Sequence, residues 1–181
     1  QFIPSYDYSS FNVDHIDNFM NKIKNNIIKI FVANGKVLSG QAINFDMTPI
    51  IKRLSLKYPK IIFFITNEDA YFSTDSSRDK HPNVYITRDV IQSKCCDLVE
   101  NSYLSTFCDL IVGRCSGPYC FTTTKENWAS DKTVICFSKN KEEGLWAENH
   151  TAIHSGTSDT DHVFKIISTE IQKKIEKYQY S

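Results

Sequence analysis

Apolar positions recur along the chain in two alternating rhythms. Short, nearly continuous apolar runs occur at Ile27 to Ala33, Ile61 to Ile65, Val84 to Ile86, Leu110 to Val112 and Thr133 to Phe137. Each has the length of a strand covered on both faces. Between them the spacing lengthens to that of amphipathic helices: Ile16, Phe19, Met20, Ile23 and Ile27 share one face, as do Ile50, Ile51, Leu54 and Tyr58. Leu98, Tyr103, Leu104 and Phe107 form a third stripe, and Val163, Ile166, Ile167, Ile171 and Ile175 a fourth. Strand and helix patterns that alternate from end to end predict a three-layer Rossmann-like α/β sandwich with a mostly parallel sheet of about five strands.

The punctuation agrees with this division. Asp46 or Thr48 is placed to cap the second helix, Pro49 stands at its first position, and Pro59 ends it. Asp97 and Glu100 have capping-box spacing, and Ser158 to Asp161 precede the terminal helix. Phe2 to Val13 is aromatic without a period and reads as an irregular lead-in; Tyr71 to Lys80 reads as a polar, mobile segment. Ser138 to Thr157 reads as a long polar loop, of the kind that is functional or disordered in a compact domain. The expected organisation is a lead-in and helix over 1–26 and one Rossmann-like domain over 27–181, the C-terminal part of a longer protein.

The chain of 181 residues balances 21 basic against 21 acidic residues. It therefore carries no electrostatic footprint for nucleic acid. Its apolar runs are strand-sized, so no membrane span is expected. The six cysteines form no Cys-x-x-Cys pair and show no zinc-ligand spacing with histidine. They read as buried free thiols of a cytoplasmic protein, and no metal is expected. Cys115 and Cys120 differ in standing beside a turn.

That turn is the centre of the sequence. Gly113 is expected to stop the run Leu110-Ile111-Val112, and Ser116-Gly117-Pro118 then opens a helix. First-turn N–H groups make an anion site, and Gly117 lets a ligand approach the backbone. In a parallel sheet the strand-to-helix loops meet at one edge. Asn34 to Gln41, Thr66 to Asp69, Thr87 to Asp89 and Gly113 to Pro118 are the four expected there.

Two of these segments resemble a known family. Asn34-Gly35, then Ser39-Gly40-Gln41, a helix, Lys57-Tyr58-Pro59 and a strand ending in Thr66-Asn67 resemble the first βαβ unit of the C-terminal domain of GT-B glycosyltransferases, in particular the heptosyltransferase-like and fucosyltransferase-like groups. Cys108-Asp109-Leu110-Ile111-Val112-Gly113 followed by Ser116-Gly117-Pro118 is similar to the turn that contacts the donor diphosphate in those enzymes; Cys115 stands where they usually carry an acidic residue. The resemblance spans roughly Ile27 to Thr122. It implies a nucleotide-diphosphate sugar as donor substrate rather than a cofactor, with Ser116 and Gly117 at the diphosphate, Gly35 and Ser39 at the phosphate or sugar, and Thr66, Asn67 and Thr87 near base or ribose. Arg114 or Lys36 would supply charge, and His150 and His154 on the long loop are the weak candidates for a base. Such enzymes also need an N-terminal acceptor-binding domain, for which this chain has no room. A non-catalytic Rossmann-like module that binds a partner protein, glycan or nucleotide is the alternative.

Overall fold

The computed structural model describes residues 3–23, 27–38, 40, 42–67, 71–91, 97–129, 131–139, 151–155 and 157–180, with the backbone alone at 151–155 and 180. Six strands, β1 (Lys29–Ala33), β2 (Ile62–Ile65), β3 (Val84–Ile86), β4 (Leu110–Arg114), β5 (Thr133–Phe137) and β6 (Thr151–Ser155), form one sheet. Their spatial order is β3-β2-β1-β4-β5-β6 and every pairing is parallel. The α/β architecture is the expected one, with a sixth strand where the sequence suggested only loop. Thr151–Ser155 offers just Ala152 and Ile153 as an apolar signal, and its pairing with β5 supplies what its composition does not.

Alternation along each strand divides the core. Ile30, Val32, Phe63, Ile65, Leu110, Val112, Ile135 and Phe137 face one layer. There they meet α2 (Thr48–Lys57) and the long terminal helix α8 (Thr160–Tyr180), through Ile50, Ile51, Leu54, Val163, Ile167 and Ile171. Phe31, Ala33, Phe64, Ile111 and Cys136 face the other way. They are covered by α1 (Asp14–Met20), α4 (Thr87–Ile91), α5 (Asp97–Thr106) and α6 (Gly117–Cys120). A period of two in the strands thus sends consecutive residues to opposite layers.

Four expectations change or sharpen. The first helix ends at Met20, with Asn21 as its C-cap and Ile23 in the turn beyond, so its apolar stripe is shorter than the periodicity implied. The lead-in is irregular except for a 3-10 turn over Tyr8–Ser10 capped by Asp7, and it is held to the fold: Tyr6 stacks on Phe121 at 5.9 Å, and the Tyr8 hydroxyl bonds Ser102 at 2.8 Å. Within the segment read as mobile, Asp75–Lys80 forms α3, anchored by the buried Phe72. Gly113 does not stop its strand. It lies within β4, opposite Ala33 and Cys136, and a Cβ there would come within 2.9 Å of both the Ala33 Cβ and the Tyr119 ring.

A buried histidine ties α2 to α3. Ser55 donates to the Lys52 carbonyl at 2.9 Å, which leaves its oxygen to accept from His81 Nδ1 at 2.5 Å. His81 Nε2 then accepts from the Tyr71 hydroxyl at 3.2 Å, so this network assigns the neutral Nδ1–H tautomer. Burial, with Lys52 and Lys80 nearby, lowers the His81 pKa.

Two consequences are measurable. Gly113→Ala should cost about 2 kcal/mol or more in urea unfolding, since Ala33 and the Tyr119 ring are both fixed by packing. Because the folded-state pKa of His81 lies below its ordinary 6.5, the unfolded chain binds the extra proton first as pH falls. Its contribution is complete above about pH 6.5 and is lost as pH drops towards the folded pKa, by up to about 1.4 kcal/mol per pH unit. His81→Gln should flatten that part of the stability profile.

Candidate functional site

Parallel strands place the C-terminal ends of β1, β2 and β4 side by side. Between β1 and β4 the strand order reverses: the chain leaves β1 towards β2 and β3 on one side and continues from β4 to β5 and β6 on the other. Such a switch point leaves a crevice between diverging loops, where ligands of open α/β sheets bind. Gly35 follows β1 and Ser116 and Gly117 follow β4, so both flank this crevice; Thr66 and Asn67 follow the neighbouring β2.

The edge is stitched by side chains that bond main chain. Asn34 Oδ1 accepts from the Asn67 N–H at 2.7 Å, joining the ends of β1 and β2. Asn44 Oδ1 accepts from the Val37 N–H at 2.8 Å and Asn44 Nδ2 donates to the Val37 carbonyl at 2.9 Å, closing the connection that leads to α2. Met47, rather than Asp46 or Thr48, is the N-cap of α2 and makes no side-chain cap bond; Asp46, one residue earlier, braces the helix start by accepting from the Thr48 N–H at 2.9 Å. Its bonds with Thr48 hold the Asp46 carboxyl below the usual range, against a smaller opposing effect of burial.

Arg114 completes the set. At 1% exposure it is among the most deeply buried large side chains, with its guanidinium 5.2 Å from the Phe45 ring centroid. Nη1 donates to the Phe45 carbonyl at 2.6 Å, and Nη2 to the carbonyls of Asn34 and Gly35. Burial lowers its pKa, while nearby Asp46 favours its charge. Arg114 was expected to face a ligand; its terminal donors are instead directed at main-chain oxygens. The cation that remains exposed on this connection is Lys36.

The turn after β4 is shorter than expected. Gly117–Cys120 makes a single turn, closed by the Cys120 N–H to the Ser116 carbonyl at 2.8 Å and the Phe121 N–H to the Gly117 carbonyl at 3.0 Å. Pro118 has no N–H, and the Cys120 N–H is taken by the Ser116 carbonyl, so Gly117 and Tyr119 carry the other N–H groups of this turn. Gly117 is exposed, with nothing within 4 Å of an added Cβ, and the Ser116 hydroxyl is buried without a hydrogen-bond partner. Tyr119, 1% exposed, lies across Gly113 and bonds Cys136.

Other candidates fall elsewhere. Thr87 is 1% exposed at the start of α4, rather than in an open loop, because that helix follows β3 directly. His154 belongs to β6, paired with Cys136, and not to a loop; β6 is the outermost strand, two places from β4. Ser39 and His150 lie outside the described residues. Asn44, whose position in an irregular stretch gave no signal, organises the edge as much as any residue chosen from the sequence.

Fold and edge together define a Rossmann-like α/β domain whose strand order reverses between the polar ends of β1 and β4. No known protein family, curated protein or solved structure matches the chain. Among the described residues no helix is long and apolar enough to cross a membrane.

Replacing Arg114 by Met keeps an apolar stem but leaves the carbonyls of Asn34, Gly35 and Phe45 without their donor. It should lower stability by about 3 kcal/mol in urea unfolding, and it should speed amide exchange at Val37. Arg114→Lys should recover little, since an ammonium lacks the fork that reaches separate carbonyls.

Proposed function

We propose that the chain is a glycosyltransferase-like domain that binds a donor nucleotide sugar through its diphosphate, for transfer of the sugar to a glycan, lipid or protein acceptor. The observation that carries this reading is the strand order. It sets the Gly35 and Ser116-Gly117 turns on either side of the reversal between β1 and β4, where nucleotides bind in sheets of this order. The exposed Gly117 backbone, the buried Ser116 hydroxyl and Lys36 are the groups offered to a diphosphate. Thr66 and Asn67 at the adjacent strand end would border the ribose or base. The sugar would be transferred only with an acceptor-binding domain that closes over this edge, in a reducing, cytoplasmic setting that suits free thiols.

One observation favours the second reading, a non-catalytic binding module: the Arg114 guanidinium is turned into the fold. The two readings part in calorimetry with a panel of nucleoside diphosphates and nucleotide sugars. A donor domain should bind one diphosphate with a Kd of about 1–100 μM. Gly117→Val should weaken that binding at least about tenfold with unchanged thermal stability, because open space surrounds Gly117. A folded chain that binds none of the panel would sink the donor reading and leave the module.

A further inference from the structure

Two adjoining hollows lie between the end of α2 and α8, beside Ile28 and Ile61, which immediately precede β1 and β2. They therefore sit at the N-terminal edge of the sheet, opposite the switch point. One, of about 440 Å³, has the Phe164 ring and three lysines, Lys57, Lys165 and Lys173, in its lining, with the Glu176 carboxylate beside them. The other, of about 430 Å³, is walled by Ile28, Pro59, Ile61 and Ile175, and its described lining holds no acidic residue. Lys57 and Tyr58 line both, so the hollows meet along these two residues. The Lys57 ammonium is held at that junction: it donates to Ser168 Oγ at 2.7 Å and lies 5.1 Å from the Tyr58 ring centroid and 5.5 Å from that of Phe164. The Tyr58 hydroxyl donates to the Ser168 carbonyl at 3.2 Å, so the Ser168 hydroxyl gives its proton to the Tyr58 oxygen at 2.7 Å and accepts from Lys57. Both anchors are buried, Tyr58 at 8% and Ser168 at 7% exposure.

We propose that the paired hollow is a binding site for a single-chain fatty acid, with its carboxylate on Lys57 and Lys165 and its acyl chain over Ile28, Pro59, Ile61 and Ile175. Charge selects the head. Lys173 is already paired with Glu170 at 2.6 Å, and Glu176 accepts from the Gln172 amide at 3.4 Å, whereas Lys57 and Lys165 have no ion pair among the described residues. A surface lysine ordinarily loses side-chain entropy when it grips an anion; Ser168 and two aromatic rings have already ordered Lys57. One of its three N–H groups goes to Ser168, which leaves the others for the carboxylate. Apolar walls select the tail, because a bare anion leaves the second hollow unfilled and a neutral chain leaves the ammonium unused. Hollows of a few hundred cubic ångströms with apolar walls and few polar groups suit a small molecule, whereas a stable protein partner needs about 800 Å² on each side. The site lies away from the Gly35 and Gly117 turns and does not rest on the donor reading.

The full chain is titrated calorimetrically with decanoate below its micellar concentration, and in parallel with hexanoate and with decanol. One decanoate should bind per chain with a Kd of about 10–100 μM. Hexanoate, too short to fill the apolar hollow, should bind at least about tenfold more weakly. Decanol, which lacks the charge, should lose at least about fivefold, and so should decanoate with Lys57→Met. Lys22→Met removes an exposed lysine beyond α1, on the other face of the sheet, and should leave the affinity unchanged. In the native chain the amide resonances of Ile61, Ser168 and Ile175 should shift on adding decanoate, and those of Gly35 and Gly117 should stay in place. Absence of saturable binding to the folded chain overturns the proposal, as does decanol binding as tightly as decanoate. Equal effects of Lys57→Met and Lys22→Met, or retention by phosphatidylglycerol vesicles without binding of soluble decanoate, overturn it too. If Lys57→Met fails to fold, the amide shifts of the native chain decide alone. Those shifts report the two edges of the sheet separately, so failure here leaves the diphosphate reading standing, and the reverse.

Discussion

Burying a guanidinium is the constraint from which the organised edge of this sheet follows. Arg114 ends β4 with its side chain almost fully withdrawn from water, a costly position unless its donors find acceptors. The acceptors are carbonyls of Asn34, Gly35 and Phe45, drawn from the two ends of one connection. The interaction works in both directions: the carbonyls offset the desolvation of the charge, and the charge fixes the course of a connection that has no ladder of its own. Asn34 carries that order on to the end of β2, and Asn44 holds the middle closed. The β1, β2 and β4 ends are thereby held in register beyond their last ladder bonds.

The residue before Arg114 sets the other half of the geometry. Gly113 allows the Tyr119 ring to lie directly on the strand, and Tyr119 in turn bonds Cys136 on β5. The turn that carries Ser116 and Gly117 is therefore fastened at both ends, by the strand through Gly113 and by the next strand through Tyr119. This is why the chain reverses in four residues and then proceeds through Thr124, whose side chain accepts from the Asn127 N–H, into α7 (Lys125–Trp128). Such a turn has little helix dipole, since only a single turn of peptide groups is aligned. Whatever it holds, it holds through individual backbone N–H groups and the Ser116 hydroxyl.

Much of the fold was legible because strand alternation and helix caps are local signals. Ile30 and Val32 against Phe31 and Ala33 announce a doubly covered strand, and Pro49 with Asp46 announces the start of α2. The parts that were not legible depend on partners distant in sequence. β6 is a strand because β5 lies beside it, not because Thr151–Ser155 has a strong pattern. Gly113 read as a breaker because close packing by Tyr119 leaves no trace in the glycine itself. Arg114 read as a ligand-facing charge because it stands in the turn that resembles a diphosphate-contacting one; the 80 residues separating it from Asn34 hide the carbonyls that bury it. For the candidate site, the turns chosen from the sequence do follow the C-terminal ends of β1, β2 and β4, but the sequence misjudged which of their side chains face outward.

The consumption of Arg114 by the fold also limits what the edge can bind well. Among the described residues of the Gly35 and Gly117 turns, the exposed cation that a diphosphate would meet is Lys36, beside uncharged dipoles. Backbone N–H groups fixed by Tyr119 and Gly113 are preorganised and need no reorganisation to receive charge, whereas an exposed lysine is screened by salt and loses side-chain entropy when held. Recognition on this surface would therefore rest on geometry more than on net charge. That makes the position of the Ser116-Gly117 backbone the quantity to which affinity should be most sensitive. A displacement of tenths of an ångström in that turn would outweigh the addition or loss of a surface charge, because dipoles act through short, directed bonds and a solvated charge acts weakly from any direction.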